Sequence, residues 1–290
     1  MMNNKQSKIV LKDGRQLTYC DQGNPQGKQV LLLHGTPGYS LFWNQLPGFS
    51  EACEHFQFIT VDRRGYGTSD YKKDNTFLNY VDDIEELINH LQIDKTIVMG
   101  VSGGGPYALA CGYKIPERVK QVVIVSSAGP SGVKEIEESI SSTNRIVYKI
   151  ARNLPWLMNL NMRLLISWQI KNPVKFIQKM SYKLSGPDKE AINRRDVQEI
   201  MKDIYLNSCQ KTWKGYARDV ILQANDWGFD LSQIKPKVII FQANEDTSSP
   251  PAVGEYFSQT IPNGQLFFYD NAGHLWQLLH LSEILSKIKC

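Results

Sequence analysis

Residues 99–109, MGVSGGGPYAL, set one serine among four glycines directly after the apolar run Thr96-Ile97-Val98-Met99. Gly100-Val101-Ser102-Gly103-Gly104 fits G-x-S-x-G, in which a strand turns abruptly into a helix and holds the serine in a strained conformation at the sheet edge. Side chains at positions 100 and 104 would collide in such a turn. The Gly103 N–H, just after the serine, points toward a reacting carbonyl and gains from the positive helix start. Pro106 in the first helical turn gives up only an N–H that lacks an intrahelical partner anyway. A phosphate-cradling loop is the weaker reading, because the Lys-Ser/Thr pair of a P-loop does not follow. A purely structural glycine turn has to be judged against the rest of the chain.

Short apolar runs recur on both sides of this turn, at Val30 to Leu33, Phe58 to Val61, Ile97 to Met99, Val122 to Val125 and Val238 to Phe241. Runs with so few polar interruptions suit parallel strands buried on both faces. Val81, Ile84, Leu87, Ile88 and Leu91 recur at helical spacing between two of them, and Tyr107 to Tyr113 follows the glycines. Asp13-Gly14, between Lys8–Leu11 and Gln16–Cys20, is a tight-turn dipeptide that opens the chain with an antiparallel hairpin. The fold class is therefore α/β, a mostly parallel sheet of about eight strands flanked by helices. From about Pro130 to Asp226 no strand pattern appears. Amphipathic segments do, at Ile146 to Ile150, Met162 to Ile170, Ala191 to Tyr205 with Asp188 as its cap, and Tyr216 to Ala224. Pro155, Pro173 and Pro187 divide this stretch, which carries the exposed-looking Trp156, Trp168 and Trp213. The expected organisation is a core of residues 1–129 and 227–290 with an inserted helical cap at 130–226.

Composition narrows the function. The 290 residues are 42% hydrophobic, ample for a core, and carry a net charge of +4. With lysines and glutamates read as interspersed, no basic stripe for nucleic acid is expected. The stretch Met1-Met2-Asn3-Asn4-Lys5-Gln6-Ser7 has no secretory apolar run, and no membrane span is expected, so the chain reads as cytoplasmic. Cysteines 20, 53, 111, 209 and 290 are odd in number and never paired as C-x-x-C. They suggest reduced thiols rather than disulfides or a zinc site.

A serine hydroxyl needs a histidine within hydrogen-bond reach and a carboxylate to fix that histidine's tautomer. In this fold the chain order is serine, acid, histidine. Gln242-Ala243-Asn244-Glu245-Asp246 follows one apolar run, and Asp270-Asn271-Ala272-Gly273-His274 follows Leu266 to Tyr269. Both stretches lie in loops after strands, on the edge where parallel sheets place ligands. Together with His34-Gly35-Thr36-Pro37-Gly38 and Asp62-Arg63-Arg64-Gly65-Tyr66-Gly67-Thr68-Ser69-Asp70, these ordered motifs make nearly the whole chain resemble the α/β-hydrolase family, in its esterase-like branch with a helical cap. The resemblance implies Ser102 as nucleophile, His274 as base, Asp246 as its orienting partner, and an oxyanion hole from the backbone N–H groups of Thr36 and Gly103. Acyl transfer to water by these residues requires neither a metal nor an organic cofactor.

Several residues carry plainer readings. His34 supports its loop, His55, His90 and His280 are packed or solvated, and Asp62 and Arg63 belong to a turn held by Gly65 and Gly67. Glu245 competes with Asp246 for the base. Tyr39, Phe42 and Trp43 line an acyl pocket or fill the core, and Cys111 is core. Serine at the elbow argues against the haloalkane and epoxide branches, and Val101 and Gly103 replace the tryptophan of the proline-peptide branch. The expectation is a hydrolase of small or medium carboxylic esters with an apolar group, its partner a small-molecule substrate and its oligomeric state unassigned. Amide, lactone and C–C hydrolysis, perhydrolase-type haloperoxidase chemistry and a non-enzymatic receptor remain the alternatives.

Overall fold

Five apolar runs become the inner strands of one sheet. The computed structural model describes residues 5–288; residues 1–4 of the polar N-terminal stretch and Cys290 lie outside the described residues. The strands are β1 (Ser7–Val10), β2 (Gln16–Gly23), β3 (Lys28–Leu33), β4 (Phe56–Val61), β5 (Thr96–Val101), β6 (Val119–Val125), β7 (Lys237–Ala243) and β8 (Gly264–Tyr269). Their order is β1-β2-β4-β3-β5-β6-β7-β8. β1 and β2 pair antiparallel, as does β2 with β4, and every other pairing is parallel. The fold is thus the mostly parallel α/β sheet with an N-terminal hairpin that the sequence predicts.

The uninterrupted apolar runs follow from burial on both faces. Along β3 and β5, Leu31, Leu33 and Val98 enter one core, while Val30, Leu32, Ile97 and Met99 enter the other. Successive side chains point to opposite faces, so a strand covered on both sides has no room for polar alternation. The first core is covered by α2 (Phe77–His90), α3 (Gly105–Lys114) and α11 (Pro251–Thr260), and the second by α1 (Phe49–Ala52) and α12 (Leu281–Ser286). Thr76 starts α2 with a reciprocal cap: its hydroxyl accepts the Asn79 N–H, and the Asn79 side chain accepts the Thr76 N–H.

Between β6 and β7 lie only helices: α4 (Lys134–Ser139), α5 (Ser142–Asn153), α6 (Pro155–Lys171), α7 (Pro173–Ser181), α8 (Gly186–Asn193), α9 (Arg195–Asn207) and α10 (Lys214–Gln223). Met158, Met162 and Ile166 of α6 pack with Ala217, Val220 and Ile221 of α10 in a third, smaller core. One predicted helix is corrected. Ala191 to Tyr205 is not continuous, because Arg194 is extended (φ −71°, ψ 138°) and separates α8 from α9. In an unbroken helix Asp188 and Ile192 would face away from Val197, Ile200 and Ile204, whereas the break lets both sets turn inward, where all five are buried. Asp188 is not a cap either: Ser185 holds the N-cap position of α8.

Candidate active site

Ser102 leaves the end of β5 at φ +49°, the left-handed region that a non-glycine residue enters only under constraint. Close packing imposes the turn: a Cβ at Gly100 would lie 2.4 Å from the Gly104 carbonyl oxygen, and one at Gly104 would lie 2.3 Å from that of Leu33. The loops after β7 and β8 bring the other two side chains to the serine. His274 Nε2 lies 3.0 Å from Ser102 Oγ, and His274 Nδ1 lies 2.7 Å from Asp246 Oδ2. Asp246 Oδ1 accepts the backbone N–H groups of Ser248 (2.8 Å) and Ser249 (2.7 Å), which fixes the carboxylate. Acceptance at Asp246 puts the imidazole proton on Nδ1 and leaves Nε2 as the acceptor for the serine hydroxyl. Glu245 is exposed and makes no such contact, although its N–H donates to the Ala272 carbonyl (2.9 Å) and joins the two loops.

Burial works to lower the His274 pKa, but the Asp246 charge and hydrogen bond, with the Asp188 charge behind them, outweigh it and hold the imidazole above its ordinary 6.5. Asp188 is the group that the sequence reading misassigned. It reaches from α8 to accept the Leu275 N–H at 2.7 Å, and a Cβ on Gly273 would lie 2.4 Å from its carboxyl carbon. Helix α8 therefore grips the loop that carries His274.

Thr36 and Gly103 meet beside the serine. A Cβ at Gly35 would lie 3.3 Å from Ser102 Cβ, and one at Gly103 would lie 2.2 Å from Thr36 Oγ1. The Thr36 backbone N–H has no acceptor among the described residues. His34 is buried; its Nε2 accepts the Arg63 N–H (3.1 Å) while Nδ1 donates to the Gly35 carbonyl (2.8 Å). Burial, then the Arg63 charge, push its pKa well below 6.5, so it stays neutral.

Beneath this loop lies a buried network that sequence reasoning did not find. Asp62 fits the expected turn, accepting the N–H groups of Ser40 (2.6 Å) and Thr68 (2.9 Å). Arg63 does more. It donates to the Gly103 carbonyl (2.9 Å), the Gly35 carbonyl (3.0 Å) and Asp219 Oδ2 (2.7 Å), spanning both sides of the oxyanion candidate. Asp219, on α10, also accepts from Thr36 Oγ1 (2.9 Å), Tyr66 OH (2.9 Å) and Tyr107 OH (2.6 Å). Burial raises both phenols well above their usual pKa, so they remain donors. A buried charge left without its partner is costly. Asp219→Ala is therefore expected to lower the unfolding free energy by about 3–5 kcal/mol, measured as a fall in denaturant midpoint at unchanged slope. The available signal was one carboxylate inside the apolar pattern of Tyr216 to Ala224.

Above Ser102 opens a cavity of about 470 Å³, within the usual range for small-molecule sites. Phe42, Trp43, Met162, Met201 and Tyr205 give it apolar walls, and Ser102 and His274 lie on its surface. Of the aromatic candidates, Phe42 and Trp43 line it, whereas Tyr39 hydrogen-bonds Asp203. Cys111 is wholly buried, which pushes its thiol up to about 12 and leaves no thiolate to react. His90 ends α2, and His280 sits half-exposed with Nδ1 3.2 Å from Glu283.

A family model described as the alpha/beta hydrolase fold matches residues 28–281, and the chain belongs to the α/β-hydrolase family. It is 22% identical to the proline iminopeptidase PfmaB of Pestalotiopsis fici over 96% of each chain, despite the absence of tryptophan beside Ser102. It is 31% identical to the cis-3-alkyl-4-alkyloxetan-2-one decarboxylase of Shewanella oneidensis over 124 residues, which is 41% of this chain and only 38% of that protein. Among solved structures, a thermophilic esterase from Thermogutta terrifontis superposes with a TM-score of 0.69 at 24% identity, over 97% of this chain and 96% of that one. Among the described residues, no helix is long and apolar enough to cross a membrane.

Proposed function

We propose that this hydrolase cleaves small or medium carboxylic esters bearing an apolar group, with Ser102 as nucleophile, His274 as general base and acid, and Asp246 as its orienting partner. Residues 130–226 act as a helical cap on a core of 1–129 and 227–290. The observation that carries the reading is the unbroken hydrogen-bond chain from Ser102 through His274 to Asp246 at the edge of an apolar cavity. His274 Nε2 takes the Ser102 proton as Oγ bonds to the ester carbonyl carbon, and the N–H groups of Thr36 and Gly103 receive the developing oxyanion. Collapse breaks the bond to the alcohol oxygen, which leaves with the proton from His274. Water, losing its proton to the same nitrogen, then releases the acid and restores the serine. The reading takes a small molecule as substrate and a cytoplasmic setting.

A panel of chromogenic esters of graded acyl length, with an N-terminal prolyl amide beside them, tests the reading. Turnover is expected for the esters, and exclusive cleavage of the amide overturns it. Fluorophosphonate treatment is expected to label Ser102. The base must be neutral to act, and its pKa is raised, so kcat/KM is expected to fall as pH drops through a midpoint above 6.5. Asp188→Asn keeps an oxygen for the Leu275 N–H but removes a charge that raises this pKa. The acid limb of the kcat/KM profile is expected to move to lower pH in that variant.

A further inference from the structure

The basic and acidic side chains are not interspersed throughout this chain. Residues 142–187 hold eight basic side chains (Arg145, Lys149, Arg152, Arg163, Lys171, Lys175, Lys179, Lys183) and no acidic one, so the net +4 divides into +8 here and −4 on the rest. All eight are exposed, and among the described residues only Arg152 forms an ion pair, with Glu137.

The same stretch presents an apolar stripe to solvent. Met158, Met162, Ile166 and Gln169 bury the inner face of α6. On its outer face Trp156 (65% exposed), Leu160 (46%), Leu164 (62%) and Trp168 (38%) follow one another at four-residue spacing. Those four lie on one side of the helix and extend about 18 Å along it. Val174 on the next helix and Tyr182 just beyond it are also exposed, 53% and 85%, and Lys179 stands 5.5 Å over the Trp168 ring. A helix apolar on both faces, one of them unpaired, has a second environment to meet.

We infer that the α5–α7 face docks on an anionic lipid bilayer, with the Trp–Leu–Leu–Trp stripe entering the headgroup boundary and the surrounding lysines and arginines meeting lipid phosphates. Charge complementarity selects this occupant. A second copy would set two basic faces against each other, and a nucleic acid offers phosphates but nothing to cover the two leucines. Tryptophan and tyrosine favour the interface, and lysine stems lie along apolar surface while their ammonium groups stay in water. The same helices turn Asn144, Val147, Tyr148, Met162 and Met180 to the cavity, so docking sets it beside the bilayer. That last consequence rests on the ester-hydrolase reading; the docking does not.

Sedimentation with vesicles of phosphatidylcholine alone, or mixed with phosphatidylglycerol, tests it on the whole protein. Binding is expected to the mixed vesicles, weakly if at all to the neutral ones, and to fall as salt rises. Leu160→Ser with Leu164→Ser is expected to abolish it. Lys175→Gln with Lys179→Gln is expected to weaken it about fivefold per charge removed. Both double variants keep hydrolysis of a water-soluble ester and an unchanged melting temperature. Ser102→Ala keeps full binding, which separates this inference from the catalytic one. Equal binding to both vesicles, no binding to either, or self-association through α6 overturns it, and the salt titration of the unaltered protein needs no variant to decide.

Discussion

Ser102→Ala is expected to reduce kcat/KM on the best chromogenic ester about a millionfold, and to abolish fluorophosphonate labelling. On the proposed mechanism the hydroxyl is the group that bonds to the acyl carbon, and Cys111 cannot replace it, being sealed in the core with its thiol protonated. The proposed oxyanion donors and the apolar cavity survive the substitution. What persists is therefore the small acceleration those parts give alone. Alanine at 102 meets the same backbone demand as serine, so the melting temperature should hardly move. Turnover persisting within tenfold of the parent would mean that another residue carries the reaction.

Asp246→Asn is expected to cost about 10⁴-fold in kcat while leaving the fold intact. Position 246 must keep an acceptor for the Ser248 and Ser249 N–H groups, so the asparagine oxygen takes that side and its NH₂ turns to His274 Nδ1. Nδ1 then has to accept, the imidazole proton moves to Nε2, and the nitrogen facing Ser102 can no longer take a proton. The neighbouring Glu245→Gln, on an exposed side chain, is expected to leave kcat within twofold, and the pair of variants together decides between the two carboxylates.

The strands and the triad candidates were legible for different reasons. β3 to β7 announced themselves because strands buried on both faces carry few polar residues. The serine announced itself because its turn excludes side chains at Gly100 and Gly104, and the order of Asp246 and His274 followed from strands ending at one edge. What stayed hidden depends on contacts between distant parts of the chain. Asp219 lies 156 positions from Arg63, and nothing in the local pattern of α10 says which cation it meets. Asp188 sits where a helix cap is expected, and only the bend at Arg194 turns it toward Leu275. The outer stripe of α6 was visible as tryptophans, but the inward side had to be known before the outward one had meaning.

The anchoring of α10 bears on how such enzymes can be recombined. Its Asp219 is part of the floor of the candidate site, joined to Arg63, Tyr66 and Tyr107. Grafting a foreign insertion across the whole interval from β6 to β7 would orphan a guanidinium in the interior. A swap that stops before Lys214 leaves that floor complete, so the exchangeable module is shorter than the interruption of the strand pattern implies.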